Sequence, residues 1–73
     1  MKTAYDEDIL VGTMVKSTKF NQSGGEFQCV KVRDGWVHLR GGATGDSAFT
    51  LDQAGLDESY WKVCGFKDMG EGL

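Results

Sequence analysis

The sequence has little of what enzymes, secreted mini-proteins and membrane proteins need. Its 73 residues include no proline, two cysteines and one histidine. A secreted scaffold of this size usually carries four or more cysteines, so we expect Cys29 and Cys64 to be free thiols. No apolar run approaches the ~20 residues of a membrane span, and the three acids among the first ten residues exclude a signal peptide. These absences predict a cytoplasmic protein with no membrane contact.

Glycine and a balanced mixture of apolar and charged residues are present instead. Eleven glycines imply many turns and therefore short strands. With 40% hydrophobic and 26% charged residues, the composition is that of a folded domain. The length argues for a single domain over residues 1–73, with an ordered core over about 9–66 and flexible ends. A chain this short buries only about 60% of the surface that its unfolded form exposes.

The strongest local signal is a β-hairpin between Glu26 and Arg40. Two alternating runs flank Asp34-Gly35, a dipeptide that favours a two-residue hairpin turn. Such a turn sets the register of the whole hairpin. The expected pairs are Arg33 with Trp36, Val32 with Val37, Lys31 with His38, Val30 with Leu39, and Cys29 with Arg40.

This register divides the hairpin into two faces, because paired residues share one side of a sheet. The expected core face consists of Val30, Val32, Val37 and Leu39. The opposite face mixes cations with aromatic rings and consists of Phe27, Cys29, Lys31, Arg33, Trp36, His38 and Arg40. That composition is typical of a stacking platform for single-stranded nucleic acid. It is also typical of a solvated strand face on which Arg33 stacks against Trp36.

The rest of the chain predicts further strands and one helical turn. Strands are expected over residues 11–18, 48–51 and 59–66, with loops over 21–25 and 41–46 and a frayed tail over 67–73. A helical turn is expected from Thr50, its N-cap, to Gly55 at its end, with Gln53 at the capping-box position. We therefore predict a mainly β fold, a small antiparallel sheet or SH3-like barrel of four to five short strands with one helical turn before the last.

Catalytic and metal-binding groups are scarce. Structural zinc takes four cysteine or histidine ligands, whereas this chain offers three such residues without CxxC spacing. His38 is expected in mid-strand among basic neighbours, and Cys29 lies diagonal to it in the expected register. The glycine-rich stretch over 40–47 lacks the Gly-Lys-Ser/Thr of a phosphate-binding loop. We predict that the protein is not an enzyme and has neither catalytic residues, metal nor cofactor.

Charge is distributed unevenly along the chain. Residues 1–10 carry a net charge of −2, residues 11–45 of +3 and residues 46–73 of −4. Patches of opposite sign bear on partners and association rates. The acidic flanks, Asp6-Glu7-Asp8 and Asp57-Glu58, suit mimicry of phosphate or a basic partner, or serve ordinary solubility. The overall charge of −3 argues against a dedicated duplex-DNA binder.

Two segments add to the small size, the β pattern and the lack of a catalytic set. They are Val11-Gly12-Thr13, which opens the first strand, and the closing stretch over residues 56–63. On these features the chain resembles the small early proteins of lytic bacteriophages, and among them the transcription regulators that bind host RNA polymerase. The resemblance implies displacement of the σ factor, antitermination, and contacts with the β′ amino-terminal region and the β flap of the polymerase.

We therefore expect a monomer that binds host RNA polymerase, inhibits initiation and promotes antitermination by occupying a surface. The expected partner-binding residues are Arg33, Trp36 and Arg40 on the hairpin, and Asp6, Glu7 and Asp8 near the amino terminus. Two alternatives stay open. One is a small single-stranded nucleic-acid-binding β module, and the other is a phage inhibitor of another host protein.

Overall fold

The computed structural model describes residues 1–19, 25–42 and 45–67. These residues form five strands and one helix, namely β1 Thr13–Ser17, β2 Phe27–Arg33, β3 Trp36–Gly41, β4 Ser47–Leu51, α1 Gln53–Glu58 and β5 Trp61–Phe66. The strands pair antiparallel in one sheet of order β4-β3-β2-β1-β5. The predicted mainly β fold, with a short helix before the last strand, is confirmed.

The sheet curls until side chains of its two edge strands, β4 and β5, are in contact. Phe49 on β4 and Trp61 on β5 have ring centroids 5.8 Å apart. Phe27, from the central strand β2, lies 5.0 Å from Phe49 and 5.7 Å from Trp61. In a flat sheet four strand spacings would separate the edges by about 19 Å. The curl therefore encloses the apolar side chains of the inner face.

The hairpin turn forms as the sequence predicts. Asp34 has φ 53° and Gly35 has φ 81°, the positive values that a type I′ turn requires at both central positions. The three pairs next to the turn agree with the expected register; they are Arg33 with Trp36, Val32 with Val37, and Lys31 with His38.

Farther from the turn the expected register is wrong, because β2 contains a bulge. The ladder shifts just after Cys29, so Val30 is an extra residue without a partner across the ladder. Cys29 pairs with Leu39, the partner expected for Val30, and Arg40 pairs with Gln28. A bulge inserts one residue into one strand and exchanges the sides to which the following residues point.

The bulge changes which β2 side chains form the core. Phe27 and Cys29, expected on the basic face, are buried on the inner face. Val30 is only half-buried, and Val32 is 37% exposed near the hairpin tip. The prediction for β3 holds, since that strand contributes two fully buried side chains, Val37 and Leu39.

The core draws on every part of the described chain except β4. Its buried members are Ile9, Val15, Phe27, Cys29, Val37, Leu39, Leu56 and Trp61. Leu51 from β4 and Val63 from β5 pack against this cluster. Each fully buried aliphatic side chain contributes about 1.5–3 kcal/mol.

The helix begins later than the sequence predicts. Thr50 pairs with His38 in the β3–β4 ladder and so cannot cap a helix. Asp52 is the N-cap instead, and its Oδ1 accepts a hydrogen bond from the Gly55 amide at 2.9 Å. Gly55 therefore lies inside α1 rather than at its end, and it leaves room for the nearby Leu51 side chain.

The other strands occur with changed bounds. β1 is shorter than expected because Gly12, with φ 102°, turns the chain just before it, which leaves Val11 50% exposed. β4 starts one residue earlier than predicted and β5 two residues later. Parts of the expected loops and tail, over 21–24, 43–44 and 68–73, lie outside the described residues.

Candidate binding surfaces

A band of cationic and aromatic side chains covers the outer side of the β2–β3 hairpin. We call this band the hairpin face; it consists of Lys31, Arg33, Trp36, His38 and Arg40. Cross-strand pairing places these side chains together, and all except the half-buried His38 are exposed. Of the expected partner-binding residues, the structure brings together Arg33, Trp36 and Arg40.

Trp36 is the largest side chain on the hairpin face that stays open to a partner. It is 44% exposed. Within the described residues no ring contact involves Trp36, so the stacking of Arg33 on it, one of the two interpretations of this face, is not seen. Arg33 turns instead to Asp34, with 3.4 Å between Nε and Oδ2. A concavity of about 400 Å³ lies beside the ring, next to His38 and Thr50.

The cations of the hairpin face are mostly uncompensated. The Arg33–Asp34 pair is exposed, with side-chain exposures of 67% and 83%, and such pairs are worth about 0–1 kcal/mol. Lys31 and Arg40 form no ion pair within residues 1–19, 25–42 and 45–67. The hairpin face therefore presents positive charge on a chain whose net charge is negative.

The three expected acidic residues, which we call the acidic segment, lie in an amino-terminal loop closed on itself. The loop is held by hydrogen bonds from the Thr3 amide to the Glu7 carbonyl and from the Ile9 amide to the Met1 carbonyl, each 2.9 Å long. The loop ends at the buried Ile9, and Met1 packs against the core.

Two members of the acidic segment share one lysine. Lys2 Nζ lies 3.0 Å from Asp8 Oδ1 and 3.9 Å from Asp6 Oδ1. The hydrogen bond and charge of Asp8, with a smaller contribution from Asp6, raise the pKa of Lys2. Both carboxylates remain largely exposed, so they are accessible to a partner.

Glu7, the third member, serves the fold. Its Oε1 accepts hydrogen bonds from Thr3 Oγ1 at 3.0 Å and from the Val63 amide of β5 at 2.9 Å. The side-chain amide of Gln53 on α1 holds the same loop, donating to the Lys2 carbonyl at 2.6 Å and accepting from its amide at 3.3 Å. Glu7 is half-buried. Because its Oε1 already accepts two hydrogen bonds, Glu7 has less capacity for an outside partner than Asp6 or Asp8.

The structure also contains an apolar pocket that the sequence did not reveal. We call it the aromatic pocket; it has a volume of about 330 Å³ and its walls include Ser17, Phe27, Phe49, Leu51, Ser59 and Trp61. It forms where the edges of the curled sheet meet. Phe27 is the residue whose position could have indicated the pocket. The expected register lacks the bulge and therefore places Phe27 on the outer face.

The two thiols are poor nucleophiles. Burial, the larger effect, raises the pKa of Cys29, and its Sγ lies 3.6 Å from the Lys31 carbonyl oxygen that it bonds. Burial also raises the pKa of Cys64, assisted by the charge of Glu26. Both are free cysteines, and the thiolate is the reactive form.

In the described part of the chain, no three histidine, cysteine or acidic side chains lie close enough together to hold a metal ion.

Comparison of the chain with protein-family models, with curated proteins and with solved structures finds no match. The described residues include no helix with the length and hydropathy needed to cross a membrane.

Proposed function

We propose that this chain is a phage protein that binds host RNA polymerase in the host cytoplasm, where it inhibits transcription initiation and promotes antitermination. It acts as a monomer that occupies a surface of the polymerase and performs no chemistry. The observation that carries the proposal is the hairpin face, where an exposed Trp36 lies among cations, two of which, Lys31 and Arg40, form no ion pair within the described residues. Tryptophan and arginine are the side chains that most often dominate binding energy in protein interfaces.

The size of the domain is compatible with this mode of action. A standard interface buries about 800 Å² of each partner, which is about one-sixth of the 4626 Å² accessible surface of this chain. The hairpin strands β2 and β3 lie inside the sheet between β1 and β4, so an interface centred on them rests on strands that are paired on both sides.

Patches of opposite sign suit a junction between two polymerase regions. In the proposal Arg33, Trp36 and Arg40 make one contact, and Asp6 and Asp8 make the other. Glu7 contributes by holding the acidic segment against β5. The resemblance to phage regulators suggests the β′ amino-terminal region and the β flap as the two surfaces.

A second candidate function uses the same hairpin face for single-stranded nucleic acid. The observation that favours it is the Trp36 ring, which is open for base stacking beside the positive charges of Lys31 and Arg40. Nucleic-acid binding of this kind would be weak, because the chain as a whole is acidic. It would also depend strongly on salt, because the cations would contact phosphates.

The test compares binding to RNA polymerases purified from a panel of bacteria, with and without σ, with binding to a single-stranded oligonucleotide. We expect binding to a polymerase at physiological salt, and faster dissociation for Trp36→Ala. Phe66→Ala is the matched control, since Phe66 is a 60% exposed aromatic residue on β5, outside the hairpin face. Oligonucleotide binding without polymerase binding would favour the second candidate.

A further inference from the structure

The aromatic pocket has a geometry that suits one aromatic ring. Its walls are the three mutually contacting rings of Phe27, Phe49 and Trp61, which meet at interplanar angles of 51–73°. Phe49 is 36% exposed, so one wall borders solvent. An engineered cavity of about 150 Å³ holds a benzene molecule. The volume of about 330 Å³ therefore has room for a substituted ring, which edge-to-face packing on these walls would favour.

Ser59 gives this apolar pocket a polar wall. The residue is 8% exposed, and its carbonyl accepts a hydrogen bond from Ser17 Oγ at 2.8 Å. Its own hydroxyl has no hydrogen-bond partner among the residues that the structure describes. In those residues no fully buried side-chain oxygen or nitrogen lacks a partner, so solvent reaches this hydroxyl. Ser59 also lines the aromatic pocket, and we infer that this hydroxyl opens into it.

A neighbouring free strand edge indicates how a ligand would be presented. β4 carries Phe49 and Leu51 of the pocket wall, and in the described residues it pairs with β3 alone. Its outer edge therefore offers unpaired backbone groups, which extended peptides use to add a strand to a sheet. A peptide on this edge would carry its alternate side chains towards the pocket.

We propose that the aromatic pocket binds a tyrosine side chain of an extended segment in a protein partner, with the phenol hydroxyl bonded to Ser59 Oγ. The rings supply the apolar contact, and the hydroxyl of Ser59 distinguishes tyrosine from phenylalanine. A phenol can donate or accept, so it satisfies Ser59 in either orientation. A site built around a polar group discriminates against the analogue that leaves this group unpaired.

This site is separate from the hairpin face. Phe49 and Leu51 line the aromatic pocket, whereas Thr50 between them borders the concavity beside Trp36. Successive residues of a strand point to opposite sides, so the two sites lie on opposite sides of β4. The proposal therefore stands or falls independently of polymerase binding by the hairpin face.

The test is an NMR titration of the full chain with N-acetyl-tyrosinamide, with N-acetyl-phenylalaninamide as the matched probe. We expect saturable shifts at the Ser59 amide and the Trp61 indole, and about two- to tenfold weaker binding of the phenylalanine probe. Ser59→Ala should abolish this preference, and Ser47→Ala, on exposed β4, should keep it.

A second variant keeps the test valid if Ser59→Ala disturbs the end of α1. Phe49→Ala removes a partly exposed wall, and we expect it to weaken binding of the tyrosine probe more than fivefold, whereas Phe66→Ala leaves it unchanged. Absence of saturable shifts, shifts centred on Trp36, equal affinity for the two probes, or unchanged affinity in Phe49→Ala would each overturn the proposal.

Discussion

Comparing Glu7→Ala with Asp8→Ala tests whether the Glu7 carboxylate stabilises the fold while its neighbours face solvent. Glu7 Oε1 accepts two hydrogen bonds, from Thr3 Oγ1 and from the Val63 amide, and so joins the amino-terminal loop to β5. Asp8 lies one residue away, has the same charge, and contacts only the exposed Lys2 among the ion pairs of the described residues. Each substitution removes one negative charge, but only Glu7→Ala removes the hydrogen bonds that join the amino-terminal loop to β5.

The expected costs follow from the hydrogen bonds and their burial. A hydrogen bond to a charged group is worth about 1.5–3 kcal/mol, and a group left without its partner costs about 1–3 kcal/mol. Since Glu7 is half-buried and water can partly replace it, we expect Glu7→Ala to cost about 2 kcal/mol. Asp8→Ala loses an exposed ion pair and should cost about 0–1 kcal/mol.

Thermal and urea unfolding measure the difference. In a domain of 60–100 residues each kcal/mol lowers Tm by about 4–8 °C, so Glu7→Ala should lower it by about 8–16 °C. Amide hydrogen exchange should quicken at Thr3 and Val63 in the same variant. If Glu7→Ala and Asp8→Ala destabilise equally, the assignment of Glu7 to the fold is refuted.

Four further predictions concern other parts of the molecule. Asp52→Ala removes the N-cap of α1 and should cost about 1 kcal/mol in urea unfolding, whereas Asp52→Asn should cost less. Burial raises the pKa of Cys29 and Cys64, so the unfolded chain loses these protons first as pH rises; stability should therefore fall above the ordinary thiol pKa, with a smaller fall in Cys64→Ala. Iodoacetamide should label both thiols slowly at pH 7, and fast labelling of the folded chain would contradict the assigned burial. Trp36→Ala should change stability by less than about 0.5 kcal/mol while it speeds dissociation from polymerase, and a large loss of stability would show that Trp36 belongs to the core.

The parts of the fold near strong local signals could be predicted from the sequence. Asp34-Gly35 adopts the positive φ values of a two-residue turn, and this alone fixes the adjacent cross-strand pairs. The bulge at Val30 could not be predicted, because it depends on how the two halves of β2 meet different neighbours. This single residue moved Phe27 and Cys29 from the expected outer face to the core.

Some features of the candidate surfaces could likewise be predicted from the sequence, whereas others could not. Arg33, Trp36 and Arg40 lie on the face expected for them, because β3 has no bulge and Arg33 is next to the turn. The role of Glu7 depends on Val63, 56 residues away, and no local pattern carries that contact. The aromatic pocket likewise requires the edges of the sheet to meet, which is a property of the whole curl.

The position of β1 between β2 and β5 has a consequence for folding kinetics. The hairpin closes through a two-residue turn, whereas pairing of Ser17 with Trp61 closes a loop of 43 residues. Loop-closure entropy makes the second step costlier by about 2.7 kcal/mol for a flexible chain. We therefore expect the hairpin to form early and β5 to join late. Until β5 arrives, β1 is an unpaired edge, and during synthesis this interval lasts until the last strand has been made.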